Sequence, residues 1–121
     1  MKKIMAIMII SLSMILSSCD LIAKYNITVV NNCSNSGTNF KILVYVDKSS
    51  SAPSAYITLN YGSSQEFSEL EYGTYYLHIK APNDTGVPAL AQNHVAKQIT
   101  VNRNDTWKVT WSSSNGYEVT Y

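Results

Sequence analysis

The chain has 121 residues, with nine Lys and Arg against eight Asp and Glu and a net charge of +1. That length is one domain's worth of chain, long enough to bury a core without disulfide staples. The near balance of charge leaves no basic patch, which disfavours a nucleic-acid partner.

The chain opens on Lys2 and Lys3, and residues 4–16 hold only two serines among apolar side chains before Ser17, Ser18 and Cys19. A basic start, a short apolar run and small residues are the layout of a secretory signal. A membrane-spanning helix needs about 20 apolar residues, and this run is shorter and meets Asp20 at once. Leu16, Ser17, Ser18 and Cys19 resemble the lipobox of bacterial lipoproteins. The resemblance implies cleavage before Cys19, with Leu16, Ser17 and Ser18 as recognition positions and Cys19 as the lipidated first residue of the mature chain. It also implies residues 19–23 as a short tether, a lipid bilayer as partner, and a place in the bacterial cell envelope facing the periplasm or the exterior. Asp20 resembles an inner-membrane retention signal of some such proteins. The other reading is an ordinary signal peptide with Cys19 as a plain thiol.

If Cys19 carries lipid, Cys33 has no partner for a disulfide within the monomer. No base or cation stands beside it in "NNCSN", so its thiol is expected to be buried or unreactive.

Residues 24–121 read as one all-β domain, because short alternating runs follow one another with Asn, Ser, Gly and Pro between them. In residues 24–31, Tyr25, Ile27 and Val29 face away from Asn26 and Thr28, and "NNCSNSGT" follows as a loop. Residues 40–47 are apolar on both faces, which predicts a central strand. Shorter strands are expected over 56–60 and 65–70. Residues 74–81 alternate most cleanly, with Tyr75, Leu77, Ile79 and Ala81 opposite Thr74, Tyr76, His78 and Lys80. Residues 82–93 contain Pro82, Gly86 and Pro88 and read as a long connection, in which "VPALA" can make a brief helical turn. Strands resume over 94–102, 106–112 and 117–121. Seven or eight strands without intervening helices predict an antiparallel β-sandwich or a small barrel.

The stretches "LEYGTYYLHIKA", "KQITVNRNDTWKVTW" and "ILVYVD" are similar to strands of small transthyretin-like or PEGA-type β domains of exported bacterial proteins. Tyr72 and Lys48 depart from that pattern, standing where proline and glycine are common, and this bears on topology rather than class.

Catalytic signals are sparse. His78 and His94 are the only histidines, and the serines cluster in turn-like stretches without nucleophile-elbow glycines. No cofactor and no metal site is expected: the two "NDT" triplets, at Asp84 and Asp105, read as turn caps rather than calcium ligands. Glu66, Glu69 and Glu71 read as a solvated edge, and Trp107 and Trp111, sharing a face with Val109, as core. His78 shares the polar side of its strand with Tyr76 and Lys80, a solvated face. Flat exposed rings hold sugars or proteins in many non-catalytic modules, so Tyr45, Tyr76 and His78 form the candidate binding surface, with Tyr61 and Tyr72 as further candidates. The expected function is a membrane-anchored, non-catalytic binding or structural domain with a protein or glycan partner. An inhibitor or immunity lipoprotein that inserts the 82–93 connection into a hydrolase is the alternative.

Overall fold

The computed structural model describes residues 22–121; Leu16, Ser17, Ser18 and Cys19 lie outside the described residues. The strands are β1 (Lys24–Asn31), β2 (Ser34–Asn35), β3 (Thr38–Asn39), β4 (Ile42–Asp47), β5 (Ile57–Leu59), β6 (Ser64–Glu71), β7 (Gly73–Lys80), β8 (Val95–Val101), β9 (Asp105–Ser112) and β10 (Gly116–Thr120). One 3₁₀ turn, Ala89–Gln92, interrupts the 81–94 connection where "VPALA" predicts it. Among the described residues no helix is long and apolar enough to cross a membrane.

The strands form an all-β sandwich of two four-stranded sheets, ordered β10-β9-β1-β6 and β5-β4-β7-β8, with β2 and β3 as a separate ribbon. Alternation decides what enters the core, since successive side chains point to opposite faces. The first sheet contributes Ile27, Val29, Trp107, Val109, Trp111 and Tyr117, and the second Ile42, Val44, Leu77, Ile79, Ile99 and Val101, all buried. Each such aliphatic side chain stabilises the fold by about 1.5–3 kcal/mol relative to exposure. As its two-sided apolar pattern predicts, β4 is central in its sheet.

One pairing departs from the antiparallel expectation: β1 and β9 run parallel, Ile27 opposite Asp105 through Asn31 opposite Val109. The β8–β9 turn delivers the chain to the end where β1 begins, and Asn104 Oδ1 there accepts the Asn26 backbone N–H at 2.9 Å. β9 therefore sets out in the same direction as β1, a choice that side-chain alternation does not encode.

The expected "NNCSNSGT" loop is more ordered than a loop. β2 and β3 pair through the two-residue turn Ser36–Gly37, with φ of +50° and +82°. Two positive φ values mark the type I′ turn, whose twist matches a hairpin, and glycine takes the second position without steric cost. In β6, Ser68 and Glu69 together oppose Asn26, a bulge in which Glu69 takes φ +57° and its N–H donates to Asn26 Oδ1 at 3.2 Å.

Asn31, fully buried at the end of β1, ties the two sheets together. Its Nδ2 donates to the carbonyls of Phe40 and Leu59, both at 2.9 Å, and its Oδ1 accepts the Cys33 N–H at 2.9 Å. Its backbone N–H donates to Ser63 O at 3.0 Å and its carbonyl accepts from Gly62 N–H at 2.7 Å. Removing the amide strands two buried carbonyls and one N–H, each costing about 1–3 kcal/mol. Asn31→Ala is therefore expected to lower unfolding free energy by roughly 3 kcal/mol or more, read by denaturant titration of Trp fluorescence; a loss under about 1 kcal/mol overturns the clamp.

Candidate functional site

β7 lies between β4 and β8, with Tyr45 opposite His78, Asp47 opposite Tyr76, and His78 opposite Ala96. Side chains two apart on a strand share a face, so Asp47 and His94 become diagonal neighbours of His78 on the side away from the inter-sheet core. His78 Nε2 lies 2.7 Å from Asp47 Oδ1, and His78 Nδ1 lies 2.8 Å from His94 Nε2. Asp47 Oδ1 also accepts the Ser49 N–H at 3.1 Å, which fixes the carboxylate.

The network dictates the proton positions. An ionised Asp47 can only accept, so His78 Nε2 carries the hydrogen, neutral His78 offers its Nδ1 lone pair, and His94 Nε2–H donates to it. His94 Nδ1 is then the open end of the chain. The two rings are inclined by 17° with centroids 5.1 Å apart. That separation equals the N···N distance plus the centre-to-nitrogen reach of each ring, so the imidazoles lie edge to edge, close to one plane, rather than face over face.

Burial first, then the His78 ring and the Lys80 ammonium, hold the His94 pKa below the usual histidine range. Around the chain, Lys80 Nζ sits 4.6 Å over the Tyr56 ring, and burial pushes the Tyr56 hydroxyl pKa up. That hydroxyl is buried without a hydrogen-bond partner. Tyr45 meets Phe67 edge-on at 6.1 Å.

The sequence-based candidates are partly brought together. Tyr45, Tyr76 and His78 do share one face, and both tyrosines are half-buried. The expectation of a solvated His78 is corrected: the residue is 0% exposed, because its ring is spanned by Asp47 on one edge and His94 on the other. On this face Tyr45 and Tyr76 reach solvent and His78 does not. Tyr61 and Tyr72 are exposed at opposite ends of the sandwich and do not join this face. Trp107 and Trp111 are buried in the core. Glu66, Glu69 and Glu71 are exposed along β6, and Asp105 bonds the Thr106 N–H and faces Arg103 at 3.5 Å.

Sequence reasoning missed His94 and Asp47 as partners of His78. A signal for the first was present: His78 and His94 stand on either side of the predicted 82–93 connection, and consecutive strands joined there bring such positions together. The partnership with Asp47 needs the β4–β7 register, which no local pattern supplies.

Chemically, the arrangement holds and passes a proton along a line. A metal needs convergent donors, whereas both His78 nitrogens are occupied on opposite edges; no group of three or more His, Cys, Asp or Glu gathers among the described residues. A nucleophile needs a base beside it. Among the described residues no Ser, Thr or Cys side chain hydrogen-bonds either histidine, and Cys33 is buried in the core with Sγ donating to Val109 O at 3.5 Å. A groove of about 410 Å³ runs past Ile99, Arg103, Trp107 and Tyr121, away from the histidines.

Comparison with protein-family models, with curated proteins and with solved structures gives no match for this chain.

Burial raises the Cys33 pKa to about 12. The thiol is thus expected to resist a maleimide or disulfide probe in the folded protein near neutral pH and to react fully once denatured, as counted by mass spectrometry. Rapid labelling of the folded chain at Cys33 overturns this.

Proposed function

We propose that this protein is a lipid-anchored lipoprotein of the bacterial cell envelope, whose sandwich faces the periplasm or the exterior as a non-catalytic binding or structural domain. The observation that carries the reading is Leu16-Ser17-Ser18-Cys19 after a basic start and a short apolar run, a few residues ahead of the first strand at Lys24. Two or three acyl chains on one residue anchor firmly, where a single chain binds only marginally.

The tether sets the orientation. From Cys19 to Lys24 the chain reaches at most about 17 Å when extended, so the end of the sandwich where β1 begins sits against the bilayer. Tyr72 and the β8–β9 turn lie at that end, since Lys24 pairs with Glu71 and Gly73 with Val101. The 32–41 segment, the 60–63 turn and the 81–94 connection lie at the far end, available to a partner. A non-catalytic role is supported by the Asp47–His78–His94 chain, which engages both His78 nitrogens, and by burial, with His78 and Lys80 behind it, which makes His94 a weaker base.

One observation favours a second reading, an inhibitor or immunity lipoprotein. The 81–94 connection is held in shape: Ala91 is fully buried and its carbonyl accepts from Ala81 N–H at 2.9 Å and Tyr117 Oη at 2.6 Å. Beside it Leu90 is 68% exposed, an apolar side chain on a fixed loop of the kind that fills an enzyme cleft at low entropic cost.

Cys19→Ala is expected to leave the protein unprocessed or to move it from the membrane to the soluble fraction; fractionation with membranes as in the wild type refutes the anchor. For the second reading, Leu90→Asp should abolish inhibition in a panel of cell-wall and protein hydrolases, and a panel in which the wild-type domain inhibits nothing removes it.

A further inference from the structure

We infer that the His78–His94 contact is an acid-sensitive latch: one proton leaves it closed, a second opens it and frees the start of β8 together with the 81–94 connection. The hydrogens in the chain have few places to go. In the neutral chain, hydrogens sit on His78 Nε2, facing Asp47, and on His94 Nε2, facing His78 Nδ1. A first added proton has the His94 Nδ1 lone pair to take, and no hydrogen bond in the chain is disturbed. The cation it creates is passed toward Asp47 along N–H bonds that already point the right way.

With the cation on His78, a second proton finds among the ring nitrogens only the His94 Nε2 lone pair that faces His78. That places an N–H on each side of a 2.8 Å gap, two donors and no acceptor, and two imidazolium rings in edge contact. The contact cannot persist, because like charges and opposed donors both repel across it. His78 has no solvent to turn to, being wholly buried. His94 is the half-exposed partner and stands just before β8, so it is His94 that moves.

The surrounding charges set the direction. From β4, Asp47 is the one anion facing the pair and Tyr45 adds a neutral hydroxyl; from β7 come Tyr76 and the Lys80 cation; β8 presents Ala96 and Gln98, neither titratable; Tyr56 lies under Lys80. One carboxylate can balance one imidazolium, while the second stands beside Lys80 without a counter-charge. The sign follows: the folded state favours neutral His94, so this stabilisation is complete above the ordinary histidine pKa of about 6.5 and is lost as pH falls through the lowered folded value. The latch should open below the ordinary histidine range.

Hydrogen exchange on the full-length protein in detergent tests this, comparing neutral pH with about pH 4.5 after correction for intrinsic exchange. Amides of residues 81–96 are expected to exchange roughly tenfold faster in acid while those of β1 and β9 keep their protection. His94→Gln keeps a donor toward His78 Nδ1 and has nothing to titrate, so it should stay closed at both pH values. Uniform loss of protection, no loss, or the same loss in His94→Gln overturns the latch. Should that variant not fold, imidazole nitrogen NMR of the wild type decides: two separated histidine steps, with the Nδ1–Nε2 contact surviving the first, support it, and a single step coincident with global unfolding refutes it. Neither measurement depends on Cys19 being lipidated, so the latch and the anchor fail independently.

Discussion

Asn31 is the interaction on which the rest of the architecture depends. A sandwich needs its two sheets held in a fixed relation, and hydrophobic contact alone is non-directional. The Asn31 amide supplies direction: from the first sheet it bonds Phe40 O and Leu59 O, carbonyls that flank β4 and end β5 in the second, and it also holds the Cys33 N–H. A wholly buried amide with every hydrogen-bonding group satisfied stabilises more than its net bond energies suggest, because each alternative sheet arrangement would strand polar atoms. Its placement fixes where β4 begins, and hence which residues of β4 face outward.

From that placement the histidine chain follows. β4 and β7 pair so that Tyr45 stands opposite His78, and Asp47 comes two residues later on the same outward side. A shift of one residue would turn Asp47 into the core and His78 away from it. Register is strongly set here because Val44, Val46, Leu77 and Ile79 must all enter the core together. The polar chain on the outer face is thus positioned by apolar packing on the inner one.

Much of this fold is legible in the amino-acid pattern. Residues 24–31 alternate and become β1; residues 40–47 are apolar on both faces and become a central strand; "VPALA" carries the 3₁₀ turn. What alternation cannot carry is which strands become neighbours and in which direction, so the parallel β1–β9 pair is invisible to it. The same gap hides the candidate site. His78 occupies a polar-side position, and on alternation alone that means solvent; only the neighbouring strands reveal that Asp47 and His94 close over it. The Ser36–Gly37 hairpin was readable from its Ser-Gly pair, yet four polar residues around Cys33 argue as well for a loop, and the arbiter is Asn31, which holds the segment from below.

The two buried polar devices divide the labour of the far end of the sandwich. Asn31 carries no titratable group, so its clamp has no proton dependence of its own. His78 is equally buried, but its bonds depend on where protons sit. A fold held only by clamps of the first kind could not respond to acid short of complete unfolding, and one held only by the second would unfold when it responded. With the clamp on the core side and the histidines on the outer side of the β4–β7 pair, loss of the second leaves the first intact, so the response stays within the start of β8 and the connection that leads to it. The Ala91 carbonyl, bonded to Tyr117 Oη and Ala81 N–H, keeps the connection tied to the sandwich, which makes the expected change a loosening in place of the 81–94 connection and the start of β8 rather than the departure of a whole loop.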